Sequence, residues 1–332
     1  MVTNILNSSA SPLVSFDALQ IGQKLPPLLA EGLILGTAQF GMPYGITNRH
    51  GQVSAHEVNA ILVHAQDAGL IMIDTAAGYG TSEETLGLCL SDFPGFGVIT
   101  KVPSVTSETV APADVQRIRD SVSRSLDRLR RDKVHGLLAH HGADLLKPGG
   151  ERIVELLESL KREGTTARLG VSVYDADEIE RILKIMRPDI VQVPMNLFDQ
   201  RLIRSGHIAM LRKEGIEIHG RSAFLQGVLL TDSSELPEYF HRFAGQFALY
   251  GKFIREHNLS RLAACLGFMI EQSGVDRIIV GVTTKNELAE LLAALPAQSG
   301  LPLMNQLASS DTALLDPRQW VFSAKASQAR RQ

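Results

Sequence analysis

The sequence predicts an α/β protein folded as a closed (β/α)8 barrel, a single domain behind an N-terminal extension. Three observations carry the prediction. Short apolar runs alternate with amphipathic segments eight times along the 332 residues. No stretch rich in Gly, Pro or Ser interrupts the alternation as a linker would, so one domain accounts for the length. The competing open, doubly wound dinucleotide fold would place G-x-G-x-x-G after its first strand, and no such motif occurs.

Residues 1–31, rich in Ser, Leu and Pro with weak periodicity, form the extension, with room for a short hairpin; 32–300 form the barrel; 301–332, ending in Ala-Arg-Arg-Gln, form a C-terminal tail expected to be partly disordered. Within the barrel the first strand is Leu33–Gly36, an unbroken apolar run of the kind a strand covered on both faces requires. The helix Ala55–Ala68 follows it. Strand two, Leu70–Ile73, precedes the helix Glu83–Leu90, and strand three, Val98–Thr100, precedes Ala113–Leu129. That last segment shows the helical period clearly, since Val115, Ile118, Val122, Leu126 and Leu129 recur at three and four residues. Its other face interleaves arginines with Asp114, Asp120, Asp127 and Asp132, which makes a solvated surface and a poor nucleic-acid patch. Strands four to eight are Val134–Ala139, Arg168–Val173, Ile190–Val193, Ile216–His219 and Arg277–Val280. Their helices are Arg152–Lys161, Ala176–Met186, Ile208–Lys213, a longer helical region after strand seven, and Asn286–Ala294.

Composition narrows the function classes. A hydrophobic content of 44% supplies a large core, and a net charge of −3 gives no general attraction to nucleic acid or to an anionic membrane, which leaves small molecules or other proteins as partners. Cys89 and Cys265 stand in apolar, helix-like surroundings without C-x-x-C spacing and read as buried free thiols of a reducing compartment. With no basic, apolar leader and no run near the ~20 apolar residues of a membrane helix, a soluble cytoplasmic protein is expected.

A barrel of this kind carries its chemistry at the C-terminal ends of its strands. There the polar residues fall. Strand two runs out at Asp74, with Tyr79 between Gly78 and Gly80 in the loop beyond; strand three ends at Lys101 and strand four at His140. A free tyrosine titrates near ~10 and is a poor acid at neutral pH, but a neighbouring ammonium stabilises its phenolate. Lys101 can supply that charge, and Asp74 beside it can keep the lysine protonated in an apolar mouth. His140 can donate a hydrogen bond to a carbonyl oxygen. No metal is expected: neighbouring residues on a strand face opposite ways, and no H-x-H or H-E-x-x-H spacing accompanies the His140-His141 pair.

On these residues and their flanks, the sequence resembles the aldo-keto reductase superfamily over roughly residues 32 to 296. The matching pieces are "LGTAQFG" on strand one, "DTAAGYG", the lysine of "ITK", "SLDRLRRDKVHGLLAHH" into strand four, "LGVSV", "VQVPMNLFD", "RSAFLQGVLL" and "IIVGVTTKNELAELLAA". The resemblance implies a nicotinamide-dependent carbonyl reductase in which Asp74, Tyr79, Lys101 and His140 form the catalytic tetrad and Tyr79 donates the proton. The cofactor implied is NADP(H) or NAD(H), and the partner is a small-molecule carbonyl substrate. By the same resemblance Gly36, Thr37 and Ala38 border the cofactor, Ser172 and Gln192 hold the nicotinamide carboxamide, and Arg221 replaces the aromatic that stacks on the ring, by stacking in its place or reaching a phosphate. Ser222, Leu225 and Gly227 run beside the pyrophosphate, and Gly281, Thr283 and Thr284 offer an anion site at a helix N-terminus. Where the family commonly places an arginine for the adenosine 2′-phosphate, this chain has Glu287, which would repel it and points to NAD(H) as well as, or instead of, NADP(H). The loops after strands one and four offer Phe40, Tyr44 and His141, with Gln39 and Met42, as a mixed substrate lining. A second function class comes with the family: redox-sensing regulatory or accessory subunits that bind the cofactor and a protein partner with little turnover. The complete tetrad favours the enzyme.

Overall fold

A computed structural model describes residues 31–272, 274–295 and 304–322. The hairpin expected in the extension lies outside these residues. Eight parallel strands close into a barrel in chain order: β1 Leu33–Gly36, β2 Met72–Asp74, β3 Gly97–Val102, β4 Val134–Ala139, β5 Thr166–Ser172, β6 Ile190–Pro194, β7 Glu217–Arg221 and β8 Arg277–Gly281. Pairing of β1 with β8, Leu33 opposite Ile278 through Gly36 opposite Gly281, closes the ring.

Two apolar layers hold it. Ile34, Met72, Ile99, Leu138 and Ile190, with Ile279 against them, fill the lumen, while a larger cluster packs the outer strand faces against the helices. Lumen packing works by size alternation. A Cβ at Gly170 would meet the Ile190 carbonyl oxygen at 2.6 Å, and one at Gly136 would meet Ile99 at 3.2 Å, so glycines on β4 and β5 make room for isoleucines on their neighbours.

The helices start where the sequence offers caps. Ser54, Asp175, Ser260 and Thr284 each accept a hydrogen bond from the backbone N–H three residues on, opening the helices Ala55–Asp67, Ala176–Ile182, Arg261–Ile270 and Lys285–Ala294. The long helical region after β7 is two helices, Ala244–Glu256 and Arg261–Ile270. Strands β3 and β7 run two residues past their apolar stretches, because Lys101 and Arg221 continue the ladder while facing the mouth. Within the tail, residues 304–322 pack against the rest of the chain. Leu307, Leu314, Leu315 and Trp320 are buried, Trp320 packs edge-on against Phe240 at 5.0 Å, and Gln200 and Gln246 donate to the carbonyls of Met304 and Leu307. Its apolar residues are too irregularly spaced to show a period, yet they join the outer core cluster.

Candidate active site

Each strand end delivers one group to the mouth, and the backbone around β2 shows how. After Asp74 the chain stays tethered to its neighbours: Thr75 N–H donates to Ile99 O at 2.8 Å, Ala77 N–H to Lys101 O at 3.2 Å, and the Thr37 hydroxyl to Asp74 O at 3.0 Å. The following turn brings Tyr79 back over the lumen. Gly80 is required there, with φ +56° and a Cβ position only 2.1 Å from Gly41 O. Gly78 is not, because its Cβ would meet nothing nearer than His140 at 3.9 Å.

The structure brings the four expected catalytic groups together. Lys101 Nζ donates to Asp74 Oδ1 at 2.5 Å and to Thr75 O at 2.9 Å, in a pair whose side chains are almost wholly buried. The other carboxylate oxygen, Asp74 Oδ2, accepts from Gln192 Nε2 at 2.6 Å. Lys101 Nζ lies 5.1 Å from the centre of the Tyr79 ring, and the His140 ring stands edge-on to Tyr79 at 5.6 Å. Burial lowers the Lys101 pKa, and the Asp74 carboxylate opposes that loss of charge.

Two protonation states follow. Burial, assisted by the charges of Lys101, His141 and Arg221, brings His140 down to about 3, so its imidazole is neutral. The Tyr79 phenol departs from the sequence expectation: burial first and the Asp74 carboxylate second raise it above the ordinary phenol range, with Arg221 pulling the other way. Desolvation of the phenolate by the surrounding protein outweighs nearby positive charge. Tyr44 is likewise raised, to about 12, by burial.

A cavity of about 590 Å³ opens over these groups. Gly36, Thr37 and Ala38 border it at the end of β1, and Ser172, Gln192 and Gly281 at the ends of β5, β6 and β8. Arg221, Ser222 and Gly227 line it from β7 and the loop beyond, and Thr283, Glu287 and Tyr44 complete the expected set. Four expected residues lie elsewhere. Phe40 is fully buried in the outer core, and Leu225 is fully buried too, since their side chains point to the helix layer rather than the mouth. The Thr284 hydroxyl is spent on the helix, accepting from Glu287 N–H at 3.1 Å. His141 stacks on His140 at 4.9 Å instead of lining the cavity. Strand alternation does not separate the two rings because β4 ends at Ala139.

Other lining residues escaped the sequence reading. Tyr174, two residues beyond β5, carries the Arg221 guanidinium at 4.4 Å from its ring centre and that of Arg318 at 3.4 Å. Tyr174 was within reach as a polar residue at a strand end; Arg318 gave no signal. The loop after β1 meets the loop after β7 across the cavity, where Arg49 pairs with Glu235 at 2.7 Å and a Cβ at Gly227 would strike Thr47 Oγ1 at 1.8 Å.

One feature bears on what fills the cavity. Gln192 Oε1 is buried with no hydrogen-bond partner among the described residues, while its amide nitrogen is committed to Asp74. An acceptor left open beside the mouth fits the N–H of a ligand amide.

Comparison with known proteins agrees with the geometry. The sequence profile described as the aldo/keto reductase family matches residues 32–299. Among solved structures, a candidate aldo-keto reductase from Pseudomonas aeruginosa, PA4992, is 26% identical with a TM-score of 0.59, over 80% of this chain and 90% of that one. The aldo-keto reductase AKR11C1 from Bacillus halodurans, in its holo form, shares the fold at 18% identity and a TM-score of 0.65, over 87% of this chain and 95% of that one. No curated protein sequence matches. Profile, neighbours and barrel agree that this chain belongs to the aldo/keto reductase family and is an oxidoreductase of that family.

Proposed function

We propose that the protein reduces an aldehyde or ketone to an alcohol with NAD(H) or NADP(H), Tyr79 acting as the general acid. The observation that carries this reading is the meeting of Asp74, Lys101, Tyr79 and His140 at one cavity, with Gln192 Oε1 open beside them. A nicotinamide carboxamide suits that open acceptor, and Ser172 at the neighbouring strand end offers a hydroxyl. When bound, the reduced ring supplies the hydride for the carbonyl carbon.

The residues of the chain do the rest. His140, neutral, offers an N–H to the carbonyl oxygen and orients it. Tyr79 holds its proton until negative charge builds on that oxygen, then gives it up. Lys101 steadies the phenolate left behind, with its charge kept in place by Asp74. Exclusion of water by the buried surroundings strengthens each of these interactions.

Tyr79→Phe is the test. Turnover of a panel of aldehydes should fall by at least ~100-fold, the scale of general acid catalysis, while nicotinamide binding, followed by fluorescence, persists. Equal turnover by the variant would remove Tyr79 as the acid. A stoichiometric co-purifying protein partner and no turnover of any carbonyl by the parent protein would instead indicate a regulatory subunit.

A further inference from the structure

Four fixed cations border the cavity among the described residues, and one of them has no counter-charge. Lys101 pairs with Asp74 at 2.5 Å, Arg49 with Glu235 at 2.7 Å and Arg318 with Asp316 at 2.6 Å, whereas Arg221 forms no ion pair among the described residues. The two carboxylates that border the cavity are engaged elsewhere, Asp74 by Lys101 and Gln192, and Glu287 by Thr283.

Arg221 is nevertheless held in one place. Its Nε donates to Ser172 Oγ at 3.1 Å and its Nη2 to Val173 O at 2.9 Å, while the guanidinium carbon lies 4.4 Å from the centre of the Tyr174 ring. Ser172 is also the ladder partner of Gln192, whose Oε1 is the open acceptor. One hydroxyl thus joins the fixed charge to the place that fits the carboxamide of a nicotinamide.

That location gives the charge a consequence. The two redox states of a nicotinamide differ by one charge at the ring: the reduced ring is neutral and the oxidised ring is a pyridinium cation. A guanidinium beside it repels the cation and is attracted to the electron-rich face of the neutral ring. With no carboxylate to neutralise Arg221, little offsets that repulsion. A neutral side chain in its place would lack the discrimination.

We propose that Arg221 makes the site selective for the redox state of its cofactor: the protein binds the reduced nicotinamide nucleotide in preference to the oxidised one, and Arg221 is the residue that tells them apart. This deepens the carbonyl-reductase reading and rests on the nicotinamide lying beside Gln192 and Ser172. The protein accordingly stays loaded with reduced nucleotide in the presence of the oxidised form, and the spent nucleotide leaves readily, so the charge suits a site working toward the alcohol. A phosphate of the cofactor is the competing partner for Arg221.

Calorimetric titration with NADH and NAD+, repeated with NADPH and NADP+, tests this without turnover. In the pair it binds more tightly, the parent protein should hold the reduced member at least ~10-fold better than the oxidised one, the scale of a single like-charge contact. Arg221→Gln should shrink that ratio by at least ~5-fold, mainly by tightening the oxidised nucleotide, and Arg221→Lys, which keeps the charge, should retain most of it. Equal affinities in the parent protein overturn the proposal whatever the variants do. So does an unchanged ratio in Arg221→Gln; if both affinities fall together there, Arg221 holds a phosphate. A parent protein that binds none of these nucleotides ends the carbonyl-reductase reading and the proposal with it, whereas nucleotide binding without redox preference defeats the proposal alone.

Discussion

His140 and Tyr79 are pushed in opposite directions by the same desolvation, and this bears on the pH dependence of the proposed reaction. With the imidazole near 3 and the phenol above its ordinary range, neither changes state between about pH 5 and about 9. Neither group is therefore expected to put a step in kcat/KM for a neutral aldehyde over that span. A step near pH 6.5, the ordinary value for histidine, would show that His140 titrates normally and is solvated when substrate enters. At this scale the sequence was informative where a polar residue follows an apolar run, which is why Asp74, Lys101 and His140 were legible. It was less so where the question was which way a side chain points. Phe40 and Leu225 sit at the right distance along the chain, but spacing in a loop does not say whether a residue faces the lumen or the helix layer.

The helix Lys285–Ala294 makes the corresponding argument for an element. A free helix N-terminus is an anion site, but here the Glu287 carboxylate folds back to accept from Thr283 N–H at 2.6 Å and from the Thr283 hydroxyl at 2.8 Å. A phosphate arriving there would have to displace a carboxylate already bonded to those donors. We therefore expect NADH to bind more tightly than NADPH, and Glu287→Gln to shift the ratio toward NADPH by roughly 10-fold, as loss of one opposing charge implies. Fluorescence titration with both nucleotides decides it, and NADPH binding as tight as NADH, or tighter, would remove the idea. The identity of residue 287 was legible in the sequence; its bond to Thr283 was not, because Thr284 and Glu287 stand at capping-box spacing yet the side chain passes one residue beyond the cap. Strand lengths show a similar limit. Apolar runs mark where β3 and β7 begin, but their polar last residues, Lys101 and Arg221, belong to the ladder by virtue of the mouth they face.

Across the whole molecule the barrel has two charged ends with an apolar middle. At the end opposite the cavity, Glu217 accepts from Arg168, from Arg277 Nε at 2.8 Å and from His219 Nε2 at 2.9 Å. Burial alone would raise its carboxyl, but the hydrogen bonds from His219 and Arg277 and the charge of Arg168 outweigh that and hold it at about 2. Because the folded value lies below the unfolded one of 4.5, this contribution to stability is complete above about pH 4.5 and fades as pH falls toward about 2. Glu217→Gln should cost about 2–4 kcal/mol at neutral pH by leaving the arginines without their carboxylate, and should flatten the loss of thermal stability across that acid range. Thermal unfolding from pH 2 to 7 measures both effects; an unchanged acid profile would mean the cluster contributes nothing net. The closed barrel itself was legible from eight alternations, whereas the packed tail was not: Arg318 and Trp320 lie in a segment without periodicity and each packs on a ring far back along the chain, Tyr174 and Phe240.

The hydrogen bond from Gln192 to Asp74 joins residues 118 positions apart, and the ring is sealed only when the last strand finds the first. No contiguous fragment short of the full circle can hold that bond and the sealed ring together. The candidate site is thus assembled only when distant parts of the circle meet, so if the proposed reduction is the activity, its return during refolding should coincide with formation of the Gln192–Asp74 bond.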